Sequence, residues 1–163
     1  MKPEDVIELY ELLIRNGIKV WIDGGWCVDA LLGKQTRPHP DLDIAIRKVD
    51  ADKAHGLLES LGYFNKPIAD AREWNYVMEN PDEFLVDIHV FEFDNSGKNT
   101  YGVDYPKDSL TGTGHIGGKL VMCISPKWMF KFKTSYEPEQ KDLDDVNALA
   151  KKFKFEVPKS HLS

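Results

Sequence analysis

Apolar residues recur every three to four positions at the start of the chain, where Val6, Ile7, Tyr10, Leu13 and Ile14 share one side of the stretch Pro3 to Asn16 and Gly17 supplies a stop. That spacing predicts a helix. The period then falls to two, with Ile18, Val20 and Ile22 alternating against Lys19, Trp21 and Asp23, which predicts a strand. It runs straight into Gly24 and Gly25. Behind them WCVDALLG reads as a short helix closed by Gly33, KQTRPHP as a polar loop stiffened by Pro38 and Pro40, and Asp41 to Arg47 as a second strand.

Further along, ADKAHGLLESLG sets Ala54, Leu57, Leu58 and Leu61 on one helical face, and EWNYVME and FLVDIHVFEF form two strands joined by the turn NPDE. Asp94 to Gly114 is rich in Gly, Asp, Asn, Ser and Thr with scattered tyrosines, so it is expected to be an irregular surface segment, a kind of loop that often carries function. HIGGKLVMCI reads as a hairpin around Gly117 and Gly118. Ser125 and Pro126 then open a helix, with serine able to cap it, and Pro138 separates that helix from a last one striped by Leu143, Val146, Leu149, Ala150 and Phe153. No internal repeat or low-complexity linker interrupts this order.

At 163 residues the chain suits one compact domain, or a domain with a small helical appendage. No apolar run approaches the roughly 18 residues that span a bilayer, and the acidic, amphipathic start lacks the features of a signal peptide, so no membrane partner is expected and the cytoplasmic compartment is the default. Cys27 and Cys123 lack metal-ligand spacing and read as buried thiols. A net charge of -6 argues against binding nucleic acid through a broad basic face, so any polyanion must be met locally.

The candidate chemistry lies on the strands. Side chains at i and i+2 of a strand share a face about 6.5 Å apart, so Asp41 and Asp43 point together while Leu42, Ile44 and Ile46 enter the core. Two carboxylates at that separation repel by about 2.5 kcal/mol at an effective dielectric near 20, a cost that a divalent cation between them more than reverses. The strand FLVDIHVF repeats the pattern with Asp87 and His89. A lone Asp-x-Asp is usually a solvated strand face, but three aspartates on two strands suit one or two Mg²⁺ ions, and the helix that begins at Gly25 presents free N-H groups suited to phosphate.

Strand, Gly24-Gly25, helix, Asp41-Leu42-Asp43 on the next strand and Asp87 on a later one resemble the DNA polymerase beta-like nucleotidyltransferase superfamily. The finer pattern Gly24-Gly25-Trp26-Cys27-Val28-Asp29 with Thr36-Arg37-Pro38-His39-Pro40 is similar to its lincosamide and aminoglycoside 2''-nucleotidyltransferases. YPKDSLTGTG, CIS from Cys123 to Ser125 and FKTSY resemble the lincosamide group. The chain departs from that pattern at Cys27, where relatives often carry glycine, and at Phe132-Lys133-Thr134-Ser135-Tyr136, where they carry Phe-His-x-Gly-Tyr.

The resemblance implies an α/β nucleotidyltransferase fold: a mixed, twisted sheet flanked by helices, with residues 1–124 as the core and 125–163 as a C-terminal helical segment of the same compact unit. It also implies transfer of a nucleoside monophosphate, usually AMP from Mg²⁺-bound ATP, to a hydroxyl of a small antibiotic. Asp41 and Asp43 would carry the metal, and Asp87 would be the third ligand or the general base. His89 could orient Asp87 or the substrate, or be a structural histidine. The triphosphate needs cations, for which Arg37 and the helix-face pair Lys127 and Lys131 are candidates, beside a solvated-face reading of the lysines. Tyr136 could meet the nucleotide or pack in the core, and Asp29 could face the site.

Tyr101 and Tyr105 from the irregular segment are candidates for the acceptor. Together with Asp104 and Asp108 they leave open whether it is a lincosamide, favoured here, or a polycationic aminoglycoside. A homodimer stays open. The competing functions are a protein-AMPylating minimal nucleotidyltransferase and a catalytically silent nucleotide-binding module; the latter usually loses a carboxylate, and this chain keeps all three.

Overall fold

A computed structural model describes residues 1–162. Helix α1 spans Pro3–Arg15, its first turn tied by the Lys2 N-H donating to Asp5 Oδ2 at 2.7 Å, and buries Val6, Leu9, Tyr10 and Leu13. Strand β1 (Val20–Asp23) is buried along its whole length. The two-residue alternation identified the strand, but it does not separate a buried from a wet side. Trp21 packs edge-on to Phe91 with ring centroids 5.6 Å apart, and its indole N-H donates to the Leu110 carbonyl at 2.9 Å.

Helix α2 (Gly24–Leu32) begins at the first glycine of the pair, where the Asp23 side chain accepts the Gly24 N-H at 2.7 Å, and Gly33 ends it in the left-handed conformation. Strand β2 (Asp41–Arg47) has the predicted bounds and buries Leu42, Ile44 and Ile46. Helix α3 (Lys48–Ser60) starts three residues before its amphipathic pattern, with Arg47 Nη2 reaching Asp50 at 2.8 Å. It stops before Leu61, which is exposed rather than part of the apolar face.

Strand β3 (Phe64–Lys66) is too short to show a period, and β4 (Asn75–Glu79) and β5 (Leu85–Phe93) are the two strands expected around the NPDE turn. The segment expected to be irregular is partly ordered. It contains strand β6 (Asn99–Gly102) and a 3-10 turn (Lys107–Thr111), and it buries Tyr105, Ser109 and Leu110. The hairpin β7 (Gly112–Ile116) and β8 (Lys119–Cys123) follows. Helix α4 (Pro126–Lys133) starts after Ser125, whose hydroxyl makes no capping bond, and α5 (Gln140–Phe153) completes the order.

The strands form one mixed sheet in the order β3-β4-β5-β2-β1-β8-β7, with β6 on the far end of β5. The centre matters most for the site: β1 runs antiparallel to β2, and β2 runs parallel to β5. Helices α4 and α5 pack on each other and on α2, and Lys152 Nζ donates to the Leu31 carbonyl in the last turn of α2 at 2.7 Å. Among the described residues no helix is long and apolar enough to cross a membrane.

Candidate active site

Cross-strand partners project to the same side of a sheet. The registers Asp23↔Asp43 and Asp43↔Asp87 therefore lay three carboxylates in a row across β1, β2 and β5, with Asp41 one pleat to one side and His89 one pleat to the other. Acceptor atoms of Asp43, Asp87 and His89 lie within 4.8 Å of one another. His89 Nε2 is 3.5 Å from Asp43 Oδ1 and 3.4 Å from Asp87 Oδ1, and it makes no hydrogen bond. Asn75, opposite His89 on β4, donates its amide to Asp87 Oδ1 at 2.9 Å and so fixes that carboxylate.

This crowding shows in the titration of the groups. Burial, then repulsion from Asp43 and Asp41, pushes the Asp87 carboxyl up to about 6 against the pull of His89. Asp41 is also raised, by burial and by Asp43. Burial would lower His89, but the surrounding carboxylates of Asp43, Asp23 and Asp87 outweigh it and lift the imidazole to about 9. A row of hard oxygen donors short of positive charge, with an imidazole aimed between two of them, fits a divalent cation.

Beside this row, Gly24 has a φ of 60°, and a Cβ there would overlap the Asp43 carboxylate. A Cβ on Gly25 would overlap the His39 ring and come to 2.9 Å from Arg37 Nη2. Gly25→Ala should therefore displace the loop that carries Arg37 and lower the melting temperature, and a variant that melts with the wild type would remove the steric argument.

Asp29, expected to face the substrate, is instead buried behind the loop. Its Oδ1 accepts the Thr36 N-H at 3.1 Å and hydroxyl at 2.6 Å, and its Oδ2 meets His39 Nε2, the ring of which lies 4.7 Å from that of Trp26. It braces residues 36–39.

The opposite wall comes from α4 and α5. Lys127 and Lys131 are exposed and lie outside the cleft, with Lys131 4.5 Å over the Trp128 ring, because the helix turns Lys133 inward. Lys133 Nζ is 3.0 Å from both Asp142 Oδ1 and Asp145 Oδ2. Tyr136 lines the cleft and donates its hydroxyl to Asp142 at 2.8 Å. Tyr105 lies at the buried floor, donating to Asp23 Oδ2 at 2.6 Å, whereas Tyr101 lines a separate depression under Lys48 Nζ, 4.1 Å from its ring. The cleft between the walls holds about 990 Å³ and collects Gly24, Gly25, Arg37, Asp41, Asp43, His89, Tyr105, Lys133 and Tyr136, with Val103, Met129 and Phe132 as its apolar part.

Sequence reasoning passed over Asp23, His39, Asn75, Lys133, Asp142 and Asp145 as site residues. Two of the three acidic residues on α5 carried a usable signal, since Asp142 and Asp145 lie four residues before Val146 and Leu149 and hence on the buried stripe.

The family model described as aminoglycoside-2''-adenylyltransferase matches residues 5–149. A lincosamide resistance protein of Staphylococcus haemolyticus is 28% identical over 160 residues, covering 91% of this chain and 98% of that one. A 2''-aminoglycoside nucleotidyltransferase of Klebsiella pneumoniae is 31% identical over 70 residues, 43% of this chain and 38% of its own length. The fold superposes on the lincomycin-bound lincosamide antibiotic adenylyltransferase LnuA with a TM-score of 0.77 at 23% identity, covering 90% of this chain and 94% of that one. It superposes on ANT(2'')-Ia in complex with adenylyl-2''-tobramycin with a TM-score of 0.75 at 18% identity, covering 93% and 88%. With the family model matched over most of its length, this chain belongs to the aminoglycoside-2''-adenylyltransferase family of antibiotic nucleotidyltransferases.

Proposed function

We infer that the protein transfers AMP from Mg²⁺-bound ATP to a hydroxyl of a lincosamide and releases pyrophosphate. The observation that carries this is the meeting, in one cleft, of the Asp41 and Asp43 carboxylates with the Gly24-Gly25 turn and the cations Arg37 and Lys133, with Asp87 in register beside Asp43 on the neighbouring strand. A lincosamide is favoured because the lincosamide resistance protein aligns end to end with this chain, while the aminoglycoside enzyme aligns over 38% of its length. Val103, Met129 and Phe132 also give the cleft an apolar wall, which can take the apolar tail of a lincosamide.

In this reading residues 125–163 close the nucleotide side of the core formed by 1–124. The acceptor hydroxyl attacks the α-phosphorus in line as the bond to the bridging oxygen of the leaving pyrophosphate breaks. Arg37 and Lys133 hold the polyphosphate, and Tyr136 stands where it can contact the nucleotide. Asp41 and Asp43 would hold Mg²⁺, which when bound would supply Lewis acidity to the transferring phosphoryl group. Asp87 completes the ligand set or takes the hydroxyl proton, and its pKa of about 6 suits the second role near neutral pH. His89 faces the acceptor side of that row.

Purified protein with MgATP and lincomycin should release pyrophosphate and add the mass of AMP to the drug. A panel of lincosamides and aminoglycosides crossed with four nucleotides, read by mass shift, checks donor and acceptor together. No turnover across that panel, with a labelled protein partner instead, would replace this reading with protein AMPylation.

The pKa shifts set a pH dependence. Asp87 is raised from the ordinary carboxyl range to about 6, so the stability of the metal-free protein falls as pH rises from about 4 to 6. His89 is raised to about 9, so the stability it contributes is fully present below about 6.5 and lost as pH rises toward 9. Mg²⁺ competes with both protons, hence its affinity should increase steadily between pH 5 and 9, measured as the thermal shift on adding Mg²⁺ at each pH. A shift independent of pH would contradict a metal site adjoining Asp87 and His89.

A further inference from the structure

Two cations from different parts of the chain meet one buried carboxylate behind the cleft wall. Asp145 is 2% exposed; its Oδ2 accepts from Arg37 Nη2 at 2.9 Å and lies 3.0 Å from Lys133 Nζ, and its Oδ1 is 3.4 Å from Arg37 Nε. Asp142 takes a second proton of Lys133, which leaves the ammonium one N-H uncommitted. Arg37 Nη2 at the same time lies beside Gly25 in the first turn of α2. Arg37 and Lys133 thus stand in the cleft that holds Asp41 and Asp43.

Stability does not account for this cluster. Burying an ammonium and two carboxylates beside a half-buried guanidinium costs several kcal/mol of solvation per buried ion, and apolar side chains of similar volume would hold the loop to the helices about as well. Burial would lower the Lys133 pKa, yet the Asp145 and Asp142 carboxylates raise it, so the lysine stays charged. Without those carboxylates the two cations would repel each other and turn to water. With them, the donors are ordered before any substrate arrives, and that ordering no longer counts against binding.

We propose that Asp145 is a positioning residue for the nucleotide, clamping Arg37 and Lys133 together so that their remaining N-H groups meet the polyphosphate as one preformed site. This rests on the nucleotidyl-transfer reading, which makes the cleft a polyphosphate site, and it assigns Asp145 an effect on nucleotide affinity separate from any on acceptor affinity.

The test uses the full chain with Mg²⁺ and a non-reacting ATP analogue carrying a methylene bridge between the α and β phosphorus, with dissociation constants measured by calorimetry. Asp145→Asn should weaken the analogue at least about tenfold, the scale of losing a charge-assisted hydrogen bond. Lincomycin affinity, measured in parallel, should stay within about twofold on the same scale. Unchanged analogue affinity in a folded variant overturns the proposal, as does an equal loss for analogue and drug, which is what general damage to the cleft produces. If Asp145→Asn does not fold, Asp145→Glu keeps the charge and moves the carboxylate by one methylene. It should still weaken the analogue more than the drug, and equal affinities in that variant overturn the proposal too. A wild-type protein that binds no nucleotide removes the underlying reading instead, a result distinct from a wild type that binds and a variant that binds equally well.

Discussion

Asp43→Asn is expected to lower nucleotidyl transfer by about 10³-fold or more, the scale of removing an electrostatic stabiliser of a transition state, while the protein stays folded. Asp43 is the middle of the carboxylate row, paired in register with Asp23 on one side and Asp87 on the other. Its oxygen is also one of three acceptor atoms that converge within 4.8 Å. Asparagine keeps the shape against Gly24, where there is no room for anything larger, but it loses the charge that a divalent cation needs. The fold should tolerate the change because the native carboxylate is repelled by Asp41 and Asp87, and loss of that repulsion offsets loss of the contact to His89. Pyrophosphate release and circular dichroism on the same preparation check both halves. A folded variant retaining more than about a tenth of wild-type turnover would place the essential charge elsewhere, since removing one such stabiliser costs at least about 10²-fold.

The row was legible in the sequence because strands write their geometry as a period of two. Asp41, Asp43, Asp87 and His89 could be assigned to faces without knowing the sheet order, and the structure supplies the register that sets Asp43 beside Asp87. Trp21 and Asp23 follow the same period yet are buried, because the segment around Tyr105 and Leu110 covers that face of the sheet. A cover contributed from some 85 residues away leaves no local trace, and glycines and polar residues disguised the segment as surface.

The cations show a different limit. Lys127 and Lys131 share a helix face, as the spacing implies, but which face turns to the cleft depends on how α4 docks. Only the partners Asp142 and Asp145 identify Lys133 as the inward lysine. Charged residues on an apolar stripe, like those two on α5, are where sequence alone points to a buried ion cluster but cannot name its other half.

Asp29→Ala should destabilise the protein by about 1 to 3 kcal/mol or more, the range for leaving a buried polar group without its hydrogen-bond partner. It should silence transfer as well, although Asp29 does not itself line the cleft and reaches it only through His39. Asp29 and His39 are both almost fully buried. Losing the carboxylate strands the imidazole and frees the Thr36 N-H and hydroxyl in one step. The loop then loses its inner anchor, and Arg37, which contacts His39 Nδ1 at 3.0 Å, loses the neighbour that holds it against Gly25. Chemical denaturation gives the free energy, and transfer rates extrapolated to saturating nucleotide show whether activity is lost beyond the unfolded fraction. Asp29→Asn separates the two roles of the side chain. Its amide oxygen can still accept from Thr36, so the loop should keep part of its order, while the contact to His39 loses its charge. A substrate-facing Asp29 would behave in the opposite way, with Asp29→Ala weakening the acceptor and leaving the unfolding free energy nearly unchanged. That outcome would return Asp29 to the cleft, and the burial of its carboxylate behind the 36–39 loop is the reason to expect the first.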